Sequence, residues 1–217
     1  MDHAIIIRLK YPDCPEFEWR FNYFASMCLP RLLKQTDHNF DLFVLCNPIH
    51  DERVKALSDK IQVLHADAKA VTLVDDYNRK SGESNSVEPF DYKMDYAIQT
   101  RLDSDDLVHP DFVKIIHEEL KDETRLTLLA FKPIRFNIHN LRLYYIYPKD
   151  GAYSKSQFLS LYNPDKSTFI YERGHRSWAS RIRNMGGRVK IIPFGYAYLS
   201  LHDLNASCRP QPGDVLI

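Results

Sequence analysis

No part of the chain approaches the run of about eighteen apolar residues that a membrane-crossing helix needs, so no membrane span is expected. The opening residues, Met1-Asp2-His3-Ala4-Ile5-Ile6-Ile7-Arg8, have no basic region ahead of a long apolar run, so they do not read as a secretory signal peptide. Excess charge of either sign is missing too. Lys plus Arg and Asp plus Glu both number 29 among 217 residues, and the net charge is zero. This removes any global electrostatic case for nucleic acid or an anionic membrane as partner, and an anionic ligand must be held by local groups. Cysteine is sparse: Cys14, Cys28, Cys46 and Cys208 form no CxxC pair, which argues against a zinc ribbon. Cys28 and Cys46 lie in apolar stretches and read as core thiols, which favours a reducing, cytoplasmic setting. There is no internal repeat, and no Walker A sequence, which excludes a P-loop NTPase at motif level.

What remains is enough for one full core. Hydrophobic residues make up 44% of the chain, and a single domain over residues 1–217 is the expectation. A Pro-rich tail, Pro210-Gln211-Pro212-Gly213, leaves room for the chain to be one domain of a longer protein. Ala4 to Leu9 reads as a buried strand of a parallel sheet. Phe17 to Lys34 has helical spacing, with Pro30 expected to kink or split it. Phe40 to Cys46 and Ile61 to His65 read as strands, separated by a polar helix over Asp51 to Lys60. Thr72 to Val74 reads as an extended piece, and Arg79 to Pro89 as a loop or a flap over a site. Tyr92 to Tyr96 is expected to end a short helix that feeds a strand, Ala97 to Leu102. Phe112 to Leu120 has the apolar spacing of a helix, and Leu126 to Phe131 follows as a strand. Ile134–Asn140 and Leu141–Tyr147 suggest an antiparallel hairpin. Ser154 to Tyr162 reads as a helix or turn. Arg176 to Met185 reads as a helix closed by Gly186-Gly187, with Val189–Pro193 and Tyr196–His202 as final strands. The pattern predicts an α/β fold: a mixed, mostly parallel sheet, helices on both faces, and a small antiparallel part in the second half.

The chemistry-bearing stretch is Arg101-Leu102-Asp103-Ser104-Asp105-Asp106, where an extended run ends in three carboxylates. Asp103 and Asp105 would share a face of a continuing strand, and a turn could swing all three acids toward one point. Such crowding is unfavourable unless a cation or solvent offsets it, and a hard divalent ion with oxygen ligands is the natural candidate. An acidic turn ahead of a helix N-terminus would carry the same residues for a different reason. Position favours the first reading. Ligands of such sheets bind at the carboxyl ends of strands, where both this cluster and His202-Asp203 are expected.

A strand, then Asp-x-Asp, then a helix, within an α/β domain, resembles a glycosyltransferase of the GT-A fold. Three further segments agree. Arg8-Leu9-Lys10-Tyr11, Phe17-Glu18-Trp19-Arg20-Phe21 and Cys28-Leu29-Pro30-Arg31-Leu32-Leu33-Lys34-Gln35-Thr36 resemble the opening of rhamnosyltransferase-like sequences. Arg101 to Val113 resembles their acidic motif. Trp178 to Pro193 resembles the late helix–Gly–strand segment of family-2-like transferases. The resemblance covers residues 4–207 and extends to the capsid-glycosylating transferase domains of large algal viruses, which would place the protein in host cytoplasm.

The resemblance implies a nucleotide-sugar donor, with UDP the favoured carrier, a manganese or magnesium ion, and a glycan hydroxyl as acceptor. Asp103 would touch the ribose, or the metal through water. Asp105 would be a direct ligand, Asp106 would brace the metal site or touch the sugar, and His202 would be a late ligand, imidazole suiting manganese better than magnesium. Arg8 would contact base or ribose. Asp75 or Asp76 would accept from the uracil N3–H, while Lys93 and Arg101 are candidates for the diphosphate. An inverting transferase needs a base for the acceptor hydroxyl. The family's Glu-Asp is replaced here by Gly174-His175, so His175, Glu172 and Asp203 all stay open as the base, and a retaining mechanism would need none. Trp178 could stack on a sugar or pack in the core, and Tyr144, Tyr145, Tyr147 and Tyr153 could line an acceptor cleft. Rival readings are a nucleotidyltransferase with similar carboxylates, and a non-catalytic sugar- or cation-binding module. An EF-hand is excluded, because the Gly and distal Glu of its loop are missing.

Overall fold

The computed structural model describes residues 2–9, 14–65, 94–132, 134–137, 142–145, 158–171, 178–193, 195–201 and 215–216. Among these, the chain builds a seven-stranded and a five-stranded sheet. The first four strands of the larger sheet are β1 (His3–Leu9), β2 (Asp41–Cys46), β3 (Ile61–His65) and β4 (Ile98–Asp103). They lie side by side, all parallel, in the order β4-β1-β2-β3. Both faces of β1 are buried. Ile5, Ile7 and Leu9 enter one core, Ala4 and Ile6 the other. That two-sided burial is why the strand reads as an unbroken apolar run rather than an alternation.

The first core is closed by α1 (Pro15–Tyr23), α2 (Leu29–Leu33), α3 (Asp51–Lys55) and α4 (Phe112–Leu120), through Phe17, Phe24, Leu32, Val54, Phe112 and Ile116 among others. The second is closed by α5 (Trp178–Asn184) through Trp178, Ala179 and Ile182. Helices therefore cover both faces, as the sequence predicts. Pro30 splits the first helix by a π-helical turn, Phe24–Cys28, in which Leu29 N–H reaches back to Phe24 O. Proline has no N–H to give, and the wider turn absorbs the mismatch without breaking the helix.

Several expectations are corrected. Residues Leu159–Tyr162 form a strand, β9, and not a helix or turn. It runs antiparallel between β4 and β6 (Thr127–Phe131). Its Leu159 and Leu161 enter the second core, while Ser160 is buried on the other side against the Thr100 hydroxyl at 2.7 Å. A hydrogen-bonded serine at a core position hides the two-sided burial of the strand from a hydropathy pattern. The polar helix stops at Lys55. Beyond it a turn takes over, with Lys60 N–H on Ser58 Oγ and Ile61 N–H on Ser58 O. Met94–Tyr96 is not helical, and Tyr92 lies outside the described residues. The helix α5 ends as expected. Gly186 adopts φ +75°, and the N–H groups of Gly187 and Gly186 return to Ile182 O and Arg183 O, the paired bonds of a Schellman end. The chain then enters β10 (Arg188–Ile192), parallel to β6 at the sheet's far edge.

The antiparallel part is larger than predicted and includes one parallel pair. It forms a sheet of its own, ordered β12-β8-β7-β11-β5, from β5 (Asp106–Val108), β7 (Ile134–Asn137), β8 (Arg142–Tyr145), β11 (Ala197–Leu201) and β12 (Val215–Leu216). The parallel pair is β7 with β11. The predicted hairpin is present as β7 and β8. The expected extended piece at Thr72–Val74 and the loop Arg79–Pro89 lie outside the described residues.

A polar chain threads the first core. Asp37 Oδ2 lies 2.7 Å from His117 Nδ1, His117 Nε2 lies 3.0 Å from His3 Nδ1, and His3 Nε2 lies 2.8 Å from Thr100 Oγ1, which meets Ser160. It joins β1, β4, β9 and α4 through side chains alone.

Candidate functional site

The carboxyl ends of β1, β2, β3 and β4 share one edge of the sheet, because all four strands are parallel. In the β1–β4 register Arg8 stands opposite Asp103. Their side chains leave the same face and close to 3.2 Å, from Arg8 Nε to Asp103 Oδ1. Arg101, two residues back on β4, lies on that face as well, and its Nη2 is 3.9 Å from the same oxygen. Arg8, Arg101 and Asp103 are thus one constellation.

The chain then turns at Ser104-Asp105 and starts β5 at Asp106. The turn separates the carboxylates. Asp105 faces α1, where Arg20 Nη1 lies 3.0 Å from its Oδ1. Asp106 folds back beneath the turn, and its Oδ2 accepts the Asp103 N–H at 3.1 Å. Cys28 Sγ donates to Ser104 O at 3.2 Å and fixes the turn against the π-helical segment. Exposure differs accordingly: the Asp103 side chain is 19% exposed, that of Asp105 only 5%. Asp106 is buried, and its Oδ1 accepts no hydrogen bond among the described residues. Burial, and then the charges of Asp103 and Asp105, push its carboxyl well above the usual carboxylate range. Asp106 therefore keeps its proton to higher pH than an ordinary carboxyl does.

Among the described residues no group of three or more His, Cys, Asp or Glu side chains is placed to hold a metal ion. A magnesium-type site asks for less: one or two carboxylates, with water and substrate phosphates filling the remaining positions. Asp103 fits that role best, being the acid open to solvent and engaged by arginine from one side. Asp105, the direct ligand that the sequence favours, is held by Arg20. Of the other expected site residues, Asp75, Asp76, Lys93, Glu172, His175, His202 and Asp203 lie outside the described residues. Trp178 is core and not a sugar platform: it is fully buried, with Nε1 donating to Ile170 O at 3.0 Å. Tyr144 and Tyr145 lie on β8, while Tyr147 and Tyr153 are outside the described residues.

Two residues escape sequence reasoning. Arg20 sits on α1 between Phe17 and Phe21, at the margin of the apolar stripe, and only the fold reveals its acid. Tyr171 is buried beneath Arg101, whose guanidinium carbon is 4.4 Å from the ring centroid. Its signal was available: an aromatic directly before the polar segment that begins at Glu172.

The mostly parallel sheet with helices on both faces matches GT-A-like glycosyltransferases in fold. Residues 13–211 match the family model described as "Putative rhamnosyl transferase", and the chain belongs to that family. No curated protein matches it. Among solved structures it is similar to S. aureus TarS 1-349, with a TM-score of 0.54 at 10% identity over 92% of this chain and 60% of that one. TarS 1-349 in complex with UDP gives 0.55 at 13% identity, over 93% and 61%. The complex with UDP-GlcNAc gives 0.53 at 10% identity, over 97% and 62%. At such identities the likeness is one of fold, and the chain spans about three fifths of TarS 1-349.

Proposed function

We propose that this chain transfers a sugar, rhamnose first and glucose or mannose next, from a UDP-linked donor to a glycan hydroxyl, with inversion and with a manganese or magnesium ion. The observation that carries the reading is the Arg8–Asp103–Arg101 constellation at the carboxyl ends of adjacent parallel strands. The TarS structures that hold UDP and UDP-GlcNAc share the fold and support the donor class. The resemblance to capsid-glycosylating domains supports a protein-linked glycan as acceptor. Cys14, Cys28 and Cys46 are free thiols, which supports a reducing, cytoplasmic setting, and no helix among the described residues is long and apolar enough to cross a membrane.

The reaction breaks the bond between the anomeric carbon and the β-phosphate oxygen, so charge grows on the departing diphosphate. Among the described residues three arginines, Arg8, Arg20 and Arg101, pair with two carboxylates, Asp103 and Asp105. Three guanidinium groups gathered at the strand ends suit a diphosphate. Guanidinium groups of Arg8 and Arg101 reach phosphate oxygens as charge-assisted donors. Asp103 holds Arg8 and Arg101 in place and accepts from the ribose or the metal's water, Asp105 completes the acidic side, and Asp106 keeps the turn closed. Asp103, with Asp105 and His202, would hold the cation, which supplies Lewis-acid stabilisation of the leaving phosphate. Asp75 or Asp76 reads the uracil and Lys93 joins the phosphate contacts. The acceptor proton goes to Glu172, His175 or Asp203 as the hydroxyl oxygen attacks the anomeric carbon from the face opposite UDP.

A thermal-shift panel of nucleotides and nucleotide sugars, with and without manganese, tests this. A ligand that binds only the folded chain raises its stability by mass action. UDP and one UDP-sugar should raise the melting temperature, and more so with manganese. A response to nucleoside triphosphates alone would overturn the reading in favour of phosphate chemistry.

A further inference from the structure

Thr168 to Tyr171 crosses the second face of the sheet as a strap held by side chains. Gln99, on β4, accepts the Ile170 N–H at 3.0 Å and donates to Thr168 O at 3.1 Å, so both ends of its amide are used. Trp178 Nε1 holds Ile170 O at 3.0 Å. The strap ends at Tyr171, whose buried hydroxyl lies 3.1 Å from Ile6 O and 3.0 Å from Leu102 O. Those carbonyls belong to neighbouring strands, β1 and β4, just below the Arg8–Asp103 pair. One hydroxyl hydrogen between two carbonyls ties the strands where their spacing sets the gap between Arg8 and Asp103.

The ring does a second thing. Arg101 is a long side chain with only 5% of its surface exposed, and its guanidinium carbon rests 4.4 Å from the Tyr171 centroid, within cation–π range. The ring has little freedom, being anchored by its hydroxyl at one end and by the strap's backbone at the other. A flexible cation laid on a fixed ring has its height above the sheet defined. That height is the one at which Nη2 faces Asp103.

We infer that Tyr171 is a positioning residue of the donor site: its ring sets Arg101 beside Asp103, and its hydroxyl fixes the β1–β4 spacing, so that Arg101 and Arg8 meet the diphosphate of a nucleoside-diphosphate donor together. This rests on the donor reading given above. Tyr171 touches no reacting atom. It acts through Arg101.

The test is a calorimetric titration with UDP in the presence of manganese, with a melting temperature for each variant. Wild type is titrated first. If it binds neither UDP nor another nucleoside diphosphate, the donor reading itself fails and the positioning role falls with it. Given binding, Tyr171→Leu should weaken UDP roughly tenfold, the scale of one desolvated cation–π contact. Should that variant not fold, Tyr171→Met takes its place. Tyr171→Phe keeps the ring but loses the hydroxyl tie, so its affinity should fall between those of wild type and Tyr171→Leu, and it should melt earlier. Arg101→Lys should lose affinity to a similar degree, and the double variant should be no worse than the poorer single one, since both remove the same contact. Leu120→Ala, in the core of α4, should melt earlier with UDP affinity unchanged, which separates lost stability from lost position. The inference is overturned if a folded Tyr171→Leu binds UDP like wild type, if the Tyr171 and Arg101 losses add, or if Leu120→Ala weakens UDP as much as Tyr171→Leu.

Discussion

Arg8 and Asp103 are direct partners across two parallel strands, and their side chains meet at 3.2 Å at the edge where the sheet opens. Neither residue is sealed in: the arginine side chain is 30% exposed and the aspartate 19%. A pair that keeps part of its surface in water contributes modestly to stability and is accessible to a ligand. Asp103→Asn should therefore leave the melting temperature nearly unchanged and lower kcat/KM for the donor by on the order of a hundredfold, the scale of a lost electrostatic contact to developing charge. Steady-state kinetics with a UDP-sugar, beside a thermal melt, check both halves. Full activity in a folded Asp103→Asn would remove the residue from the site.

Asp105 behaves differently because its pair with Arg20 is closed off from water. Removing one partner of a buried pair leaves the other charge uncompensated, at a cost of roughly 3–5 kcal/mol. Asp105→Ala is expected to unfold at markedly lower urea concentration, so any loss of transfer in it is confounded by folding. Adding Arg20→Met should recover most of the stability. If the double variant is as unstable as Asp105→Ala, the stranded arginine is not the cause.

The strand-end placement of the acidic cluster was legible because β1 is apolar on both faces and the extended run of β4 stops at charged residues. The arrangement of its carboxylates was not. A period of two predicts that Asp103 and Asp105 point the same way. The turn at Ser104-Asp105, stabilised by the Cys28 thiol and by Asp106, sends Asp105 to α1 instead. No local pattern announces that, since Arg20 and Cys28 come from a distant helix. Strand β9 was missed for a related reason. Ser160 is polar by sequence but satisfied by Thr100 in the fold, and pairing across strands is invisible in a window. Trp178, which the sequence left open between a sugar platform and the core, is taken up by the core.

Gly187 is the tightest backbone contact in the late helix–strand segment. A Cβ there would lie 2.7 Å from Leu126 O and 2.8 Å from Ile182 Cγ2. The first of these is backbone that also accepts the Arg188 N–H, so it cannot yield without loosening the entry to β10. Gly187→Ala should destabilise the chain by about 1–3 kcal/mol, as overpacking does, read as a lower urea midpoint with the slope unchanged. A neutral result would mean that the α5–β10 junction relaxes freely.

The chain of Asp37, His117, His3, Thr100 and Ser160 makes stability depend on pH, and its hydrogen bonds give the direction. A carboxylate only accepts, so His117 Nδ1–H donates to Asp37 Oδ2. With both rings neutral, His3 Nδ1–H then donates to His117 Nε2, the Thr100 hydroxyl donates to His3 Nε2, and the Ser160 hydroxyl donates to Thr100. One added proton reverses this order from His117 onward. Two added protons would set N–H against N–H between the rings, so the pair admits at most one. Burial, followed by the neighbouring His117 and opposed by Asp37, holds His3 well below the usual histidine range. For Asp37, burial pushes upward, but hydrogen bonds from Asn39 and His117 prevail and keep its carboxylate ionised to lower pH. The unfolded chain takes up a proton at His3 near pH 6.5 while the folded chain does not. Stability is therefore complete above about pH 6.5 and falls below it, by up to about 1.4 kcal/mol per pH unit until the folded His3 titrates. Urea unfolding at pH 7.5, 6.5 and 5.5 should show the decline, and His3→Gln, though less stable throughout, should flatten it. An equal slope in wild type and His3→Gln would assign the acid sensitivity to other groups.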